Sequence, residues 1–597
     1  MSAPVAETPA PGIASGPTTL PAWLLLQAEL RPKAIAMRVK ELGRWREISW
    51  AEHATRVESV GRGLLNAGVG RGDHVFLLSE NRPEWVVTDL AVQGLGAVTV
   101  GVFPSTPAAE VGPLLERSRA RIAVVEDEEQ LDKLLALREG TALERIVVID
   151  TRGIRSLEDP ASSFEALEAI GSREAVELRS GPIDEWRTAV GSLAADDVAL
   201  VAFTPGTSGV PKGALLTHGN LAAAARVGIA TYDVRAGDRI VSCLPMCEIA
   251  ERVLVVAQAT QAGCTVHFGE GGDALENDIR EVRPTVFLGA PRLWQRLQNR
   301  VETGLRSAGR LKRAAFRFGT GHGPRLLRTL LVTGPVRRRV GLARLRVALG
   351  GGAPMPMALL GWWSSLGVDV HEIYGLTETC GIATFVADAT IGAGSVGHAV
   401  PGTEVEVAAD GEVLVRGASV FAGYLDDPDA TAAAIDADGW CHTGDLGVLG
   451  ADGDLTIVGR RKEVLVTSGG HTVAPEPIER RLAASPYVRA VIVVGEGRPH
   501  LGALVALDDD TLGDWASEKG VPFTTHLALV ERPEVQELIS AWIDEVGEDL
   551  ASEERVRCFA LLPQELTEDS GELTPTLEVR RTATVERFAD LVESMYS

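Results

Sequence analysis

The residues best equipped for chemistry begin with the run Thr204-Pro205-Gly206-Thr207-Ser208-Gly209-Val210-Pro211-Lys212-Gly213. Its glycines let the backbone turn tightly and bring N–H groups close to a phosphate. Thr204, Thr207 and Ser208 add hydroxyl donors, and Lys212 adds a point charge. The run is not a Walker A loop, because Lys212 follows Pro211 and no Gly-Lys-Ser/Thr triplet occurs. By composition alone it also suits a flexible surface loop.

Other capable residues follow in order. Gly350-Gly351-Gly352-Ala353-Pro354 offers small surfaces, and Tyr374-Gly375-Leu376-Thr377-Glu378-Thr379 combines an aromatic face, a hydroxyl and a carboxylate. Gly439-Trp440-Cys441-His442-Thr443-Gly444-Asp445 ends in a carboxylate, and Gly459-Arg460-Arg461-Lys462-Glu463 supplies cations. Each has a plainer meaning in isolation. Gly-Ala-Pro makes a turn, Thr-Glu opens a helix, and Gly-Asp is ordinary turn chemistry.

The elements that must position these groups read as α/β. The apolar run Val198–Phe203 predicts a buried strand entering the glycine-rich loop. Upstream, Trp45–Trp50 and Asp73–Leu78 predict strands, with helical periodicity over Arg56–Ala67 and Arg82–Leu95. Ala97–Phe103, Arg121–Val125 and Arg145–Ile149 continue a βαβ pattern, which implies a parallel sheet. The acidic stretch Leu157–Asp197 has no dominant period. Downstream, Ile240–Pro245 predicts a strand and Ile249–Gly263 a helix. Val347–Leu349 and Val368–Ile373 predict strands running into the next two motifs, and Glu412–Gly417 belongs to a β-rich piece. The remainder has its own strand and helix signals, at Pro477–Ala484, Val488–Val494, Ala503–Leu507 and Val535–Val546, and reads as a small α+β domain.

Composition narrows the class. The 597 residues exceed one typical domain, and 45% are hydrophobic, enough for sizeable cores. A net charge of −24 argues against general nucleic-acid binding. Cys243, Cys247, Cys264, Cys380, Cys441 and Cys558 form no CxxC pair, which suits a reducing, cytoplasmic setting. No apolar run is long enough to span a bilayer. Residues 1–19, rich in Pro, Ala, Ser and Thr, predict a disordered tail without the layout of a secretory signal. From Arg296 to Arg346 the chain is unusually basic, as in Arg310, Lys312, Arg313, Arg317, Arg325, Arg328 and Arg337-Arg338-Arg339. A solvated helical face is the plain reading, with CoA phosphates, a peripheral membrane contact or an acidic partner protein as sharper ones.

Taken together and in this order, the motifs resemble the adenylate-forming superfamily of acyl-CoA synthetases, peptide-synthetase adenylation domains and luciferases. The stretch Arg283–Trp294 is similar to the long-chain acyl-CoA synthetase branch. The resemblance implies a large N-terminal AMP-binding domain over 20–459, a hinge at 460–463 and a small mobile domain over 464–597. It implies two half-reactions: a carboxylate and Mg-ATP give acyl-AMP, then the CoA thiol displaces AMP. By the same resemblance Thr204, Gly206, Thr207, Ser208, Gly209 and Lys212 grip phosphates. Gly352, Ala353, Pro354 and Gly375 line the adenine, and Tyr374 stacks on it. Thr377 bonds the α-phosphate, Glu378 holds Mg²⁺, Asp445 accepts the ribose hydroxyls, and Arg460 supports ribose or phosphate. Lys462 sits at the hinge, and Gly469 and Gly470 line the pantetheine tunnel. The acyl pocket is expected between the Cys247–Ala257 helix, Leu288–Ala290 and Tyr374–Leu376, for a long or bulky hydrophobic acid.

Departures from the family concentrate on the adenylation half. In Leu573-Thr574-Pro575-Thr576-Leu577-Glu578-Val579-Arg580-Arg581, Glu578 stands where the branch carries its adenylation lysine, and no lysine follows Lys519. Losing one preorganised charge-stabilising group costs about 10²–10³-fold in rate. Pro205 replaces a usual Ser and removes an N–H. Ser208 for Thr is mild. Glu248 stands where His or an aromatic is usual, adding like-charge repulsion beside phosphates. These changes predict an enzyme of the second half-reaction, converting acyl-AMP from a separate adenylating ligase to acyl-CoA. The alternatives are a complete ATP-dependent long-chain synthetase and a non-catalytic AMP- or acyl-AMP-binding protein. A free carrier protein stays open as acceptor.

Overall fold

The computed structural model describes residues 16–178, 184–204, 211–306, 309, 316, 332–387, 394–567, 570–574 and 578–597, without the side chains of 173, 178, 273 and 306. The fold is α/β, with a large N-terminal domain and a small C-terminal domain.

The large domain contains an eight-stranded and a thirteen-stranded sheet. In the first, Val198–Thr204 runs parallel to Val98–Val102, which neighbours His74–Leu78, then Ile122–Val125, Arg145–Val148 and Ala161–Ser163. Lys212–Thr217 returns antiparallel on Val198–Thr204, and Gly423–Tyr424 pairs beyond it. The second sheet has a parallel centre, Val370–Tyr374, Val347–Gly350, Val286–Gly289, Arg239–Ser242, Thr265–Phe268 and Ile35–Glu41 in spatial order. Its antiparallel flank includes Glu412–Gly417, Cys441–Leu449 and Leu455–Arg460. The parallel strands are apolar because both faces are covered: alternate residues enter a core shared by the two sheets, and the others enter a separate cluster on the far face of each sheet.

Leu157–Asp197, without a clear period in the sequence, becomes the short strand Ala161–Ser163 and the helices Phe164–Ile170, Arg173–Leu178 and Glu185–Gly191. Trp186 anchors it: its ring is fully buried, and its indole N–H donates to Ala91 O at 3.0 Å. A Cβ at Gly61 or Gly94 would lie 2.2 Å from that ring, so both glycines clear its berth. The tail expected through Thr19 reaches the fold before that point. Thr19 is buried, and Trp23 Nε1 donates to Pro17 O at 2.7 Å. Residues 1–15 lie outside the described residues.

The small domain has its own core on the sheet Val488–Val494, Leu501–Leu507 and Val556–Leu561, packed with Pro475–Leu482 and Pro533–Glu548. In the basic stretch, Arg310, Lys312, Arg313, Arg317, Arg325 and Arg328 lie outside the described residues. Of the rest, Arg296 bonds Glu276 at 3.0 Å, and Arg337 caps Gly367 O at 3.2 Å and Leu345 O at 3.3 Å. No helix among the described residues is long and apolar enough to cross a membrane.

Candidate functional site

The motif residues gather where parallel strands end. Ser242, Gly289, Gly350 and Tyr374 close their strands, and the segments holding Glu248, Arg292, Gly352 and Glu378 follow directly. In open parallel sheets this carboxyl edge is where ligands bind.

On the phosphate side, Thr204 and Lys212 face each other across the hairpin, and Thr204 Oγ1 donates to Lys212 O at 3.3 Å. Pro205, Gly206, Thr207, Ser208 and Gly209 lie outside the described residues. Lys212 Nζ sits 5.0 Å from the centroid of Tyr424. The Tyr424 hydroxyl donates to Glu378 Oε1 at 2.6 Å. Burial, then the Glu378 carboxylate, push the Tyr424 phenol well above its ordinary pKa, so it remains a donor. Tyr424 thus joins the lysine of one motif to the carboxylate of another, a link the sequence does not signal. Glu378 lies in the turn Thr377–Thr379, pinned by Leu376 N donating to Thr379 Oγ1 at 2.9 Å. One half-buried carboxylate beside the Thr377 hydroxyl suits a Mg²⁺ that keeps water and takes other oxygens from substrate phosphates. Among the described residues, no group of three or more His, Cys, Asp or Glu could hold a metal.

On the nucleoside side, Gly352 has φ +83°, and Gly352 and Ala353 are exposed at the strand end. Met355 N donates to Glu372 Oε1 at 2.9 Å, fixing Pro354 and its neighbours beside Val370–Tyr374. Gly375 has to be glycine, since a Cβ there would lie 2.4 Å from Ile382 N. Tyr374 donates its hydroxyl to Asp445 Oδ2 at 2.7 Å, and Arg460 Nε lies 3.4 Å from Asp445 Oδ1. Asp445 and Arg460 are paired across neighbouring strands, so strand register sets their contact. Burial raises the Asp445 pKa, against the pull of Arg460 and of the Tyr374 hydrogen bond.

The small domain completes the cleft. Glu578 N donates to Thr574 Oγ1 at 3.0 Å, and Thr574 N donates to Glu578 O at 2.8 Å. Glu578 keeps access to solvent, yet the protein around it raises its pKa by desolvation. Arg460 and Arg292 oppose that shift, while Glu463 and Glu476 add to it. Glu248 precedes the helix start at Ile249 without a side-chain capping bond; burial, then Glu578, push its pKa up to about 7. Behind it, burial pushes Glu251 up to about 8, although its Oε1 accepts from Ser242 Oγ at 2.7 Å and Cys243 N at 3.0 Å. The expected Ile249–Gly263 helix contains a π-helical segment, Val253–Gln258.

Neither Arg580 nor Arg581 points a free charge at the cleft. Arg580 holds Glu110 of the large domain with two bonds of 2.8 and 2.9 Å, and Arg581 holds Glu479 at 2.7 Å and Val493 O at 2.8 Å. Lys462 is exposed in the turn Arg461–Glu463. Gly469 and Gly470 are exposed on the hairpin between Leu465–Val466 and Thr472–Val473, and Gly470 has φ +80°. In this domain arrangement Glu578 lies near enough to Glu248 to act on its ionisation. Sequence reasoning assigned no role to Tyr424, Arg292, Glu110 or Glu251. Arg292 and Glu251 lay inside stretches already singled out, Arg283–Trp294 and the Cys247–Ala257 helix; Tyr424 and Glu110 carry no local signal.

Two family models match the chain, the AMP-binding enzyme family over residues 25–425 and the AMP-binding enzyme C-terminal domain over 462–597. The chain belongs to the AMP-binding, adenylate-forming enzymes, on the side of the long-chain fatty acid–CoA ligases. It is 32% identical over 576 residues to long-chain-fatty-acid–CoA ligase FadD15 of Mycobacterium tuberculosis, covering 93% of each chain. It is 28% identical to long-chain-fatty-acid–CoA ligase ACSBG1 of Bos taurus, covering 94% of this chain and 82% of the relative. Among solved structures, the anthranilate CoA ligase AuaEII with anthranoyl-AMP superposes with a TM-score of 0.73 at 21% identity, covering 98% of this chain and 99% of the other.

Proposed function

We propose that this chain forms acyl-CoA from a long or bulky hydrophobic carboxylic acid, and that its cleft favours the CoA half-reaction over the ATP half-reaction. In the favoured half, the CoA sulfur attacks the acyl carbon of acyl-AMP. The C–S bond forms, the bond from that carbon to the phosphate oxygen breaks, AMP leaves, and the thiol proton passes to solvent. Asp445 and Tyr374 would hold ribose and adenine, Arg460 and Lys212 would balance phosphate charge, and Gly469 and Gly470 would give room to pantetheine after domain rotation. Mg²⁺, held at Glu378, would supply charge neutralisation for ATP.

The observation that supports this reading is that Glu578 lies near enough to Glu248 in the cleft for its charge to help raise the Glu248 pKa. Adenylation brings a carboxylate to the α-phosphorus while the bond to pyrophosphate breaks, and negative charge gathers there. The family resemblance puts a lysine at 578. A carboxylate there opposes the gathering charge, and Arg580 and Arg581 are committed to Glu110 and Glu479. A separate ligase would then supply the acyl-AMP.

Kinship favours the second reading, the complete ATP-dependent reaction, since relatives matched along nearly the whole chain are named long-chain-fatty-acid–CoA ligases. Arg292, which lies near enough to Glu578 to influence its ionisation, is the cation that this reading would use. A paired assay separates them. One arm supplies a hydrophobic acid, Mg-ATP and CoA; the other supplies preformed acyl-AMP and CoA. Thioester in the second arm alone supports the split reaction. Equal rates in both arms establish the complete synthetase.

A further inference from the structure

At the opposite edge of the thirteen-stranded sheet, where Ile35, Arg239 and Thr265 begin their strands, lies a cavity of about 470 Å³. That volume is within the usual range for small-molecule sites. Arg31, Arg38, Arg239 and His267 line it. In a chain of net charge −24 this concentration of positive charge is anomalous. Arg38 is balanced by Glu47. Among the described residues, Arg31 and Arg239 have no carboxylate in ion-pair reach. Arg239 donates to the carbonyl of Arg283, which offers no full charge. Burial, then the charges of Arg344, Arg38 and Arg283, depress the Arg239 pKa, as expected where like charges crowd without a counter-ion.

His267, also in the lining, is a buried imidazole shut off from solvent. It is 1% exposed, its Nδ1 lies 3.1 Å from Ile240 O, and its Nε2 has no hydrogen-bond partner. With the Nδ1 proton given to that carbonyl, Nε2 is an acceptor without a donor, an unfavourable state for a buried polar atom. Gly263 in the wall ends the helix Ala259–Ala262 at φ +77°, beside Arg31.

We propose that this cavity binds the phosphate group of a small phosphorylated molecule, at a site separate from the adenylate cleft. A phosphate monoester answers both arginines. Its oxygens accept from planar guanidinium forks, and near neutral pH it carries close to two negative charges. A carboxylate brings one charge and would leave an arginine unanswered. The proposal does not depend on which half-reaction the enzyme performs.

The test is calorimetric titration of the full chain, with AMP saturating the cleft, at ionic strength matched with chloride. The probes are inorganic phosphate and adenosine 3′,5′-bisphosphate, the nucleotide portion of CoA. Saturable binding of either supports the site, and tighter binding of the bisphosphate assigns it to a nucleotide. Arg31→Ala with Arg239→Ala should weaken binding about tenfold or more, since each removes charged hydrogen bonds. Ala236→Glu tests the same point without removing a side chain, because Ala236 is an exposed residue of the cavity wall. It should weaken binding similarly while melting like the parent. No binding beyond chloride, or binding indifferent to Ala236→Glu, overturns the proposal.

Discussion

Arg580 of the small domain grips Glu110 of the large domain through both terminal guanidinium nitrogens, at 2.8 and 2.9 Å. The contact spans the two domains and sits just beyond Glu578, so it holds that carboxylate in the cleft. Rotation of the small domain has to break it. Both partners are partly exposed, so the coupling should be about 1 kcal/mol. Glu110→Arg alone should speed proteolysis at the exposed turn Arg461–Glu463 and loosen the domains in small-angle scattering. Glu110→Arg with Arg580→Glu should restore the parental pattern. Equal proteolysis of the parent, the single and the double variant would remove the latch.

Glu578→Lys places an ammonium where the carboxylate faces Glu248. If charge at this point limits adenylation, the ATP–pyrophosphate exchange rate should rise roughly 10²-fold. Thioester formation from supplied acyl-AMP should change far less. Adding Glu248→His should raise exchange further, because the residual repulsion goes with it. An exchange rate unmoved by Glu578→Lys would mean that Arg292 or another cation already serves, and that the complete reaction is native.

Glu248 predicts a pH dependence. Its pKa is raised to about 7, so it is neutral in mild acid and ionises as pH passes neutrality. Adenylation by the parent chain should therefore be faster near pH 6 than near pH 8. Stability moves with the same sign: the folded chain holds a proton that the unfolded chain releases near its ordinary pKa. The contribution is complete below that ordinary value and lost as pH rises through about 7. Between pH 5 and 8, Glu248→Gln should flatten the exchange profile and make the melting-temperature profile shallower, the remaining slope belonging to Glu251 and the other buried carboxyls. A parent profile that rises with pH would contradict the assignment.

The sequence made some of this legible and not the rest, for identifiable reasons. Val198–Phe203 and Val347–Leu349 are uniformly apolar because parallel strands are covered on both faces, so the turns after them could be placed. Tyr374, Asp445 and Arg460 belong to contiguous motifs, and strand pairing brings them together. Tyr424 was missed because its partners, Lys212 and Glu378, come from distant segments. The commitment of Arg580 to Glu110 could not be read from the C-terminal motif, because Glu110 comes from a distant segment. Leu157–Asp197 was opaque because its folding rests on Trp186 docking onto glycines of other helices, a tertiary effect without local period.

Asp445 separates ligand binding from stability. It is buried, burial raises its pKa, and its oxygens are met by Tyr374 Oη at 2.7 Å and Arg460 Nε at 3.4 Å. A raised carboxylate pKa means that ionisation is unfavourable in the folded chain, so at neutral pH this charge costs stability. Asp445→Asn keeps the volume and an oxygen acceptor for Tyr374 while removing the charge. It should melt no lower than the parent at pH 7 and hold its stability better as pH rises. It should bind AMP about tenfold more weakly or worse, because ribose hydroxyls lose a charged acceptor. Calorimetric AMP titration beside a melting profile at two pH values reads both effects. Lower stability with unchanged AMP affinity would make Asp445 a structural partner of Tyr374 and Arg460, and would move the ribose elsewhere.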